Sequence, residues 1–418
     1  MHRTELLKII FFGLFTVVNP AFAQTWTFTS TSTNMSWGAV ACSADGTKLV
    51  ATVPDGYGNV GISVSTNSGA TWAMTSAPDT NDWFAVASSA DGTRLAAEDS
   101  YFGVIYTSAD SGTTWAMSGV PNWEWSSIAL SADGTKMVAS ASDPDYNEYI
   151  FVSSDSGATW ISNNVPGSSR VYVASSADGT KLVAAANLGS IFTSTNSGTT
   201  WQTNSGPITG FLYSVASSAD GTKLVTGGGN SGIGYIFTST NSGASWISNN
   251  VPGINSVYWS SVASSADGTK LMAVATSSDV DRQGASYIFT STNSGTSWIQ
   301  AEPLVKTWSG VASSADGCKL VGSAVAERFS PFPSAQYGGI YTLQITPIPW
   351  LNIASLHDNL VLSWLVPSTN FVLRQNLDLT TTNWVTLTKS PTLNLTNLQN
   401  QVLLSPSNSS GFYRLATP

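Results

Sequence analysis

Ser214-Val215-Ala216-Ser217-Ser218-Ala219-Asp220-Gly221-Thr222-Lys223-Leu224-Val225, then Tyr235-Ile236-Phe237-Thr238 and Ser239-Thr240-Asn241-Ser242-Gly243-Ala244-Ser245-Trp246, make one copy of the pattern that decides the fold. Short apolar runs flank Asp220-Gly221, and Asp-Gly between strand-like runs reads as a tight hairpin, because Gly accepts the positive φ such turns require. Ser-Ala-Asp-Gly occurs seven times, with its Asp at 45, 91, 133, 178, 220, 267 and 316. A basic residue always follows the Asp by three: Lys48, Arg94, Lys136, Lys181, Lys223, Lys270 and Lys319. Spacings of 42 to 49 residues point to a repeat architecture whose units each carry a few short strands.

A second motif runs in phase with the first. Ser-x-[Asp/Asn]-x-Gly-x-x-Trp spans Ser65 to Trp72, Ser108 to Trp115, Ser153 to Trp160, Ser194 to Trp201, Ser239 to Trp246 and Ser291 to Trp298. It resembles the Asp-box (BNR) repeat of sialidase-like β-propellers. Asp stands in two boxes (Asp110, Asp155), and Asn67, Asn196, Asn241 and Asn293 replace it in the others. Asn can still bond the turn backbone, so the resemblance implies a structural role for all six. Each unit then has four strands: one before Ser-Ala-Asp-Gly, one after it, one ending at the box and one starting at its Trp.

The seventh unit has a third strand at Gly339-Ile340-Tyr341-Thr342-Leu343 but no box after it, and Thr25-Trp26-Thr27-Phe28 aligns with the missing piece. An all-β, seven-bladed β-propeller is expected, closed by an N-terminal strand in the last blade, so that no edge of an open array is left exposed. Closure would bring together the units that carry Cys42 and Cys318. Either a disulfide clasps them, if their Cα atoms come within about 7 Å, or they are two separate small buried residues.

Composition narrows the function classes. The chain has 418 residues, 10% charged and 42% hydrophobic, with 16 Trp, 36 Gly and a formal charge of −9. Its aromatic content argues against disorder, and its scarcity of Glu, Lys and Arg beside abundant Ser, Thr and Gly argues against helix bundles. The acidic balance argues against nucleic acid, which needs a basic stripe. A basic start, an apolar run from Ile9 to Val18 and Ala21-Phe22-Ala23 read as a signal peptide (residues 1–23) cut after Ala23. That cut takes the charge to −10. Ten apolar residues are too few for a transmembrane segment, which takes about twenty. A secreted, periplasmic or cell-surface monomer is expected.

The propeller is expected over 24–345. After the linker Thr346-Pro347-Ile348-Pro349, the repeat gives way over 346–418 to alternating runs such as Leu360-Val361-Leu362-Ser363-Trp364, ending in Gly411-Phe412-Tyr413-Arg414-Leu415. A small C-terminal β-sandwich is expected. It resembles the fibronectin-like modules that end exported bacterial proteins, and adhesion, surface retention and sorting all remain open for it.

Ligands of propellers usually meet the face opposite the boxes, built from the loops that vary between units. Eight residues before each repeated Asp stand Trp37, Trp83, Trp125, Arg170, Leu212, Trp259 and Trp308, with Tyr172, Phe211, Tyr213 and Tyr258 nearby. The indoles either form a ring that stacks on a ligand or pack between blades. Arg282 and Arg328 fall in variable loops of the last two units. The candidate ligand residues are therefore Trp37, Trp83, Trp125, Arg170, Tyr213, Trp259, Arg282, Trp308 and Arg328.

Catalysis finds less support. The propeller has no His for a Ser-His-Asp triad, and too few thiols for a zinc site. Asp143-Pro-Asp145-Tyr146-Asn147-Glu148 alternates oxygen ligands but lacks the Gly and distal Glu of a calcium loop. No metal, cofactor or catalytic residue is expected. The Arg-Ile-Pro signature of sialidases is absent. A xyloglucanase-like enzyme would need two carboxylates about 5 to 9.5 Å apart. Candidates are Asp55, Asp79, Asp82, Glu98, Asp99, Glu124, Asp143, Asp145, Glu148, Asp279 and Asp281. The expectation is a non-catalytic binding or scaffold protein for a glycan or an extracellular protein; the alternative is a xyloglucanase-like or sialidase-like glycoside hydrolase.

Overall fold

The computed structural model describes residues 26–29, 36–53, 61–79, 82–100, 102–164, 170–204, 210–230, 233–249, 251, 257–277, 286–301, 307–325 and 338–344. Beyond these it describes 351–356, 359–365, 372–377, 381, 383–394, 399–404 and 412–416. Among them there is no helix. The signal segment and its Ala23 site, Asp55, Asp279, Asp281, Arg282, Arg328 and His357 lie outside the described residues.

Each of the first six copies of the repeat folds as one four-stranded antiparallel sheet with its strands in chain order, as in Val257–Ser264, Leu271–Ser277, Ser286–Ser291 and Ile299–Gln300. Second strands such as Leu49–Val53, Leu95–Asp99 and Leu182–Ala186 are buried along their whole length. Both of their faces meet protein, which is why Leu182–Ala186 reads as an unbroken run of small apolar residues rather than as alternation, whereas Leu95–Asp99 buries Glu98 and Asp99 in the same setting. Outer strands such as Ala73–Met74 and Ala116–Met117 are two exposed residues long, which leaves little edge to template pairing with another chain.

The Ser-Ala-Asp-Gly turns link one sheet to the next. Asp220 Oδ1 accepts hydrogen bonds from the Ser218 hydroxyl (2.6 Å), the Thr222 N–H (2.9 Å) and the Thr222 hydroxyl (2.8 Å). Burial alone would raise the Asp220 pKa, but these donors outweigh it and hold the carboxyl below its ordinary value. Gly221 has φ +65°, and a Cβ there would meet the Lys181 Cβ and Cδ at 2.8 Å. Glycine is thus required twice, by the turn and by the lysine stem of the preceding sheet lying over it. At the tip of that stem, Lys181 Nζ donates to Ser242 Oγ in the next sheet's box (3.3 Å), as Lys223 does to Ser294 and Lys319 to Ser68.

The repeated alanines close a circuit. Ala44 N–H donates to the Ala90 carbonyl, and the pattern continues through Ala132, Ala177, Ala219, Ala266 and Ala315, at 2.7–2.8 Å. Ala315 N–H then donates to the Ala44 carbonyl, so the sheets are joined end to end. The sheet of Thr307–Ser313, Lys319–Val325 and Gly339–Gln344 takes its outer strand from Thr27–Phe28, with Thr27 opposite Thr342 and Phe28 opposite Tyr341.

In the boxes, Ser239 Oγ accepts from the Gly243 N–H (3.0 Å) and donates to Asn241 Oδ1 (2.9 Å), which also accepts from the Ser245 N–H (2.9 Å). Asp110 makes the same backbone contact to Thr114. The exchange of Asp for Asn only reverses the outer bond. Thr114 Oγ donates to Asp110 Oδ2 (2.7 Å), whereas Asn241 Nδ2 donates to Ser245 Oγ (2.8 Å).

Cys42 and Cys318 are free thiols, so the sequence-derived clasp is not formed. Cys318 is buried and its sulfur accepts from Lys270 Nζ (3.0 Å) of the preceding unit, which finds no box serine in the seventh unit. Cys42 lies instead against Lys319, Leu320 and Val321 of the last sheet. Burial first, then the Asp45 charge, push its thiol up to about 12.

In the tail, Asn352–Leu356, Asn359–Leu365, Gln399–Leu404 and Thr392–Asn394 form a four-stranded sheet. Val385–Thr386, Val372–Asn376 and Phe412–Ala416 form a three-stranded one. Leu362, Trp364 and Val402 of the first share one apolar cluster with Leu373 of the second.

Candidate functional site

The first strands of successive sheets abut, with Val173, Val262 and Val311 N–H donating to Ser127, Ser214 and Ser261 Oγ of the neighbouring sheets (3.0–3.2 Å). They therefore surround the axis of the circuit, and side chains alternate along them between the sheet interfaces and the axis.

That alternation disposes of the indole ring. Trp37, Trp83, Trp125, Trp259 and Trp308 are at most 4% exposed. Each pairs with the indole that begins the outer strand of its own sheet: Trp72, Trp115, Trp160, Trp298 and Trp26, with centroids 5.6–6.5 Å apart. Trp308 crosses Gly322 of the second strand so closely that a Cβ there would lie 2.8 Å from its ring. These five are core, and the ligand-stacking expectation for them is corrected. Their area is spent on packing that no axial ligand can reach.

Other aromatic residues at the same end of the first strands are partly exposed instead. Phe84 is 43% exposed, and Tyr172, Phe211, Tyr213 and Tyr258 are half-buried. Tyr213 meets the edge of Tyr258 at 6.2 Å, with Phe211 at 6.4 Å on its other side. Arg170 stands among them, at the bend just before the first strand Val171–Ser175. Its guanidinium bonds Glu124 Oε1 at 2.7 Å, with both side chains about half exposed, and lies 6.0 Å from the Phe84 ring centroid. Its backbone is left-handed at φ +47°, a strained state for arginine, held by a hydrogen bond from its N–H to Glu148 Oε1 (2.7 Å).

Glu148 is buried. Its Oε1 also accepts from Ser142 Oγ, while Oε2 has no partner. Burial raises its pKa, and the Glu124 charge adds to the effect, against the Ser142 and Arg170 bonds. Tyr172 beside them is also raised, chiefly by burial. Nothing in a sequence spacing joins Glu124, Glu148 and Arg170, which lie in different strands.

The remaining carboxylates divide by role. Asp99 is buried and ties down a loop, its Oδ1 accepting from the Asp82 N–H and its Oδ2 from the Phe102 N–H (3.1 Å each). Asp143 Oδ1 caps its own turn, accepting from the Asp145 and Asn147 N–H groups. Asp79 and Asp145 are exposed. Glu98 is wholly buried with both oxygens unpartnered, and desolvation raises its pKa well above the ordinary value. Among the described residues no group of His, Cys, Asp and Glu is arranged to hold a metal ion, and no helix is long and apolar enough to cross a membrane.

No protein-family model matches the chain, and no curated protein matches it in sequence. Solved structures do. The WD40 repeats of RRP9 superpose with a TM-score of 0.59 at 14% identity, covering 78% of this chain and 98% of that one. YCF48 bound to D1 peptide superposes at 0.51 and 16% identity, covering 77% and 97%. The GH74 xyloglucanase from Xanthomonas campestris superposes at 0.53 and 13% identity, covering 82% of this chain and 59% of that one. At such identities the likeness speaks for architecture alone, and it agrees with the sheets described above: the chain has the β-propeller fold.

Proposed function

We propose that this chain is an exported, seven-bladed Asp-box propeller of the sialidase-like kind, with a fibronectin-like C-terminal module. Its role is that of a non-catalytic binding or scaffold protein, and its ligand is taken at the axial mouth opposite the boxes. The half-exposed Arg170–Glu124 pair set among Phe84, Tyr172, Tyr213 and Tyr258 carries this reading. Polar groups fix orientation there while aromatic faces supply contact area, the usual composition of a binding surface. That YCF48 is a propeller bound to a peptide is consistent with it. The N-terminal signal pattern supports release into the periplasm or onto the cell surface.

A glycan array and a peptide array, read for both binding and hydrolysis with the mature chain, test the proposal. Retained ligand should be lost in Phe84→Ala and Tyr213→Ala. Binding that survives both substitutions would move the site elsewhere. A glycoside hydrolase is the second reading, favoured by the raised Glu148 lying beside Glu124. It requires sugar release that Glu148→Gln abolishes.

A further inference from the structure

The two ends of the propeller differ in how their charge is balanced. At the turns, every Asp has a basic residue three positions on, and those cations are spent on the next sheet. At the mouth, Arg170 is the only basic residue among the described residues of the propeller that lies outside those turns. Around it Asp79, Asp82, Glu124, Asp143 and Asp145 reach the surface. Behind it Glu148 is buried with one oxygen unpartnered; Arg170 bonds it through the backbone N–H, and the guanidinium, bonded to Glu124, acts on it from a distance.

These groups are contiguous. Asp99 fastens Asp82 and Phe102 to one loop, and Gly103 on that loop lies against the Trp123 backbone, next to Glu124. Trp123 packs on Tyr149 with ring centroids 4.8 Å apart and planes tilted by 47°, beside Glu148 and the Asp143 turn. Exposed aromatic rings are interleaved with the acids: Phe84, Phe102 (44% exposed) and Tyr146 (81% exposed). Carboxylates alternating with open aromatic faces suit a cation, which gains from both. The chain's own Arg170 already uses such a combination, one carboxylate oxygen at 2.7 Å and one ring at 6.0 Å.

We propose that this acidic, aromatic patch docks a lysine- or arginine-rich polypeptide segment of a partner protein. The proposal rests on the reading of the mouth as the binding face and names the class of partner that face takes. Charge complementarity selects against nucleic acid, sialosides and uronates, and the overall charge of −9 steers a basic partner toward the protein from a distance. Neutral sugars would use the rings but bring no cation to the exposed Asp79 and Asp145.

Fluorescence anisotropy of the full mature chain tests this with three labelled probes: an Arg-Ser dodecapeptide, a Glu-Ser dodecapeptide and a xyloglucan oligosaccharide. The basic peptide should bind, and weaken about tenfold between about 20 and about 200 mM salt as the Debye length shrinks. Glu124→Gln with Asp145→Asn should weaken it about tenfold, and Phe84→Ala about threefold. Asp110→Asn with Asp155→Asn removes two charges at the opposite end, installing the Asn that four other boxes carry, and should change nothing. Equal weakening by that control pair would reveal unspecific charge attraction and overturn the proposal. Sugar or acidic-peptide binding that Phe84→Ala removes, with no affinity for the basic peptide, overturns it too while leaving the mouth as the binding face. Silence from all three probes overturns both.

Discussion

The turn end and the mouth of the propeller are made by the same strands and obey opposite rules. At the turn end the same bonds recur in successive units: an Asp that caps its hairpin, a Gly under the preceding cation stem, and an Ala N–H that reaches the next Ala carbonyl. At the mouth the units diverge: the position that Trp holds in five of them is Arg170 and Leu212 in the other two, and the next residue is Phe84 in one unit, Tyr213 in another and Ser in three more. Repetition marks where the ring is held together, and variation marks where it is free to meet something else.

Five substitutions would break or sharpen that contrast. Trp125→Ala removes a buried indole that packs on Trp160 and Phe151, and should cost about 3–5 kcal/mol in urea unfolding. A near-neutral result would mean that the mouth-side indoles are not core after all. Gly221→Ala should cost about 1–3 kcal/mol, from a left-handed φ and a Cβ against Lys181, whereas Gly119→Ala, with open space around it, should cost little.

Glu98→Met tests the buried acid. Its folded pKa is raised, so its contribution to stability is fully present below the ordinary carboxylate range and lost as pH climbs through the folded value. The variant should be the more stable protein at pH 8, by about 1–3 kcal/mol, and should lose that part of the fall in stability with rising pH. A wild-type melting temperature flat from pH 5 to 8 would contradict this reading. Arg170→Ala is the smallest change, below about 1 kcal/mol, because its ion pair is half exposed. A large loss would make Arg170 a structural residue rather than a displayed one.

The repeated end was legible because its devices are local. Asp220, Thr222 and Gly221 meet within one turn, so a spacing in the chain is also a distance in space. Even the closing strand could be found, since Trp26 aligns with the box tryptophans before it is seen against Trp308. The mouth was legible only in part. Arg170 and Tyr213 stand out in the sequence and both reach the surface, but the spacing that marks Arg170 also marks five indoles, for which ligand ring and packing are both open in the sequence and which the structure buries. What sets Phe84 and Tyr213 apart from that register is a β-bulge, since the pairing of first with second strand shifts between Trp83 and Ala85 and between Leu212 and Ser214, and no spacing in the sequence marks such a shift. Glu148 could not have been linked to Arg170, because 22 residues and a change of sheet separate the carboxylate from the amide it holds.

The sequence by itself determined the strand order, the hairpins and the unit that lacks a box, because these follow from interactions between residues near one another in the chain. Only the tertiary structure decided that Cys42 and Cys318 stay apart as thiols, that five tryptophans turn inward, and that Glu124, Glu148 and Arg170 converge. Those outcomes depend on which faces of different sheets come together, and a side chain moves from core to surface with a shift of one residue along a strand.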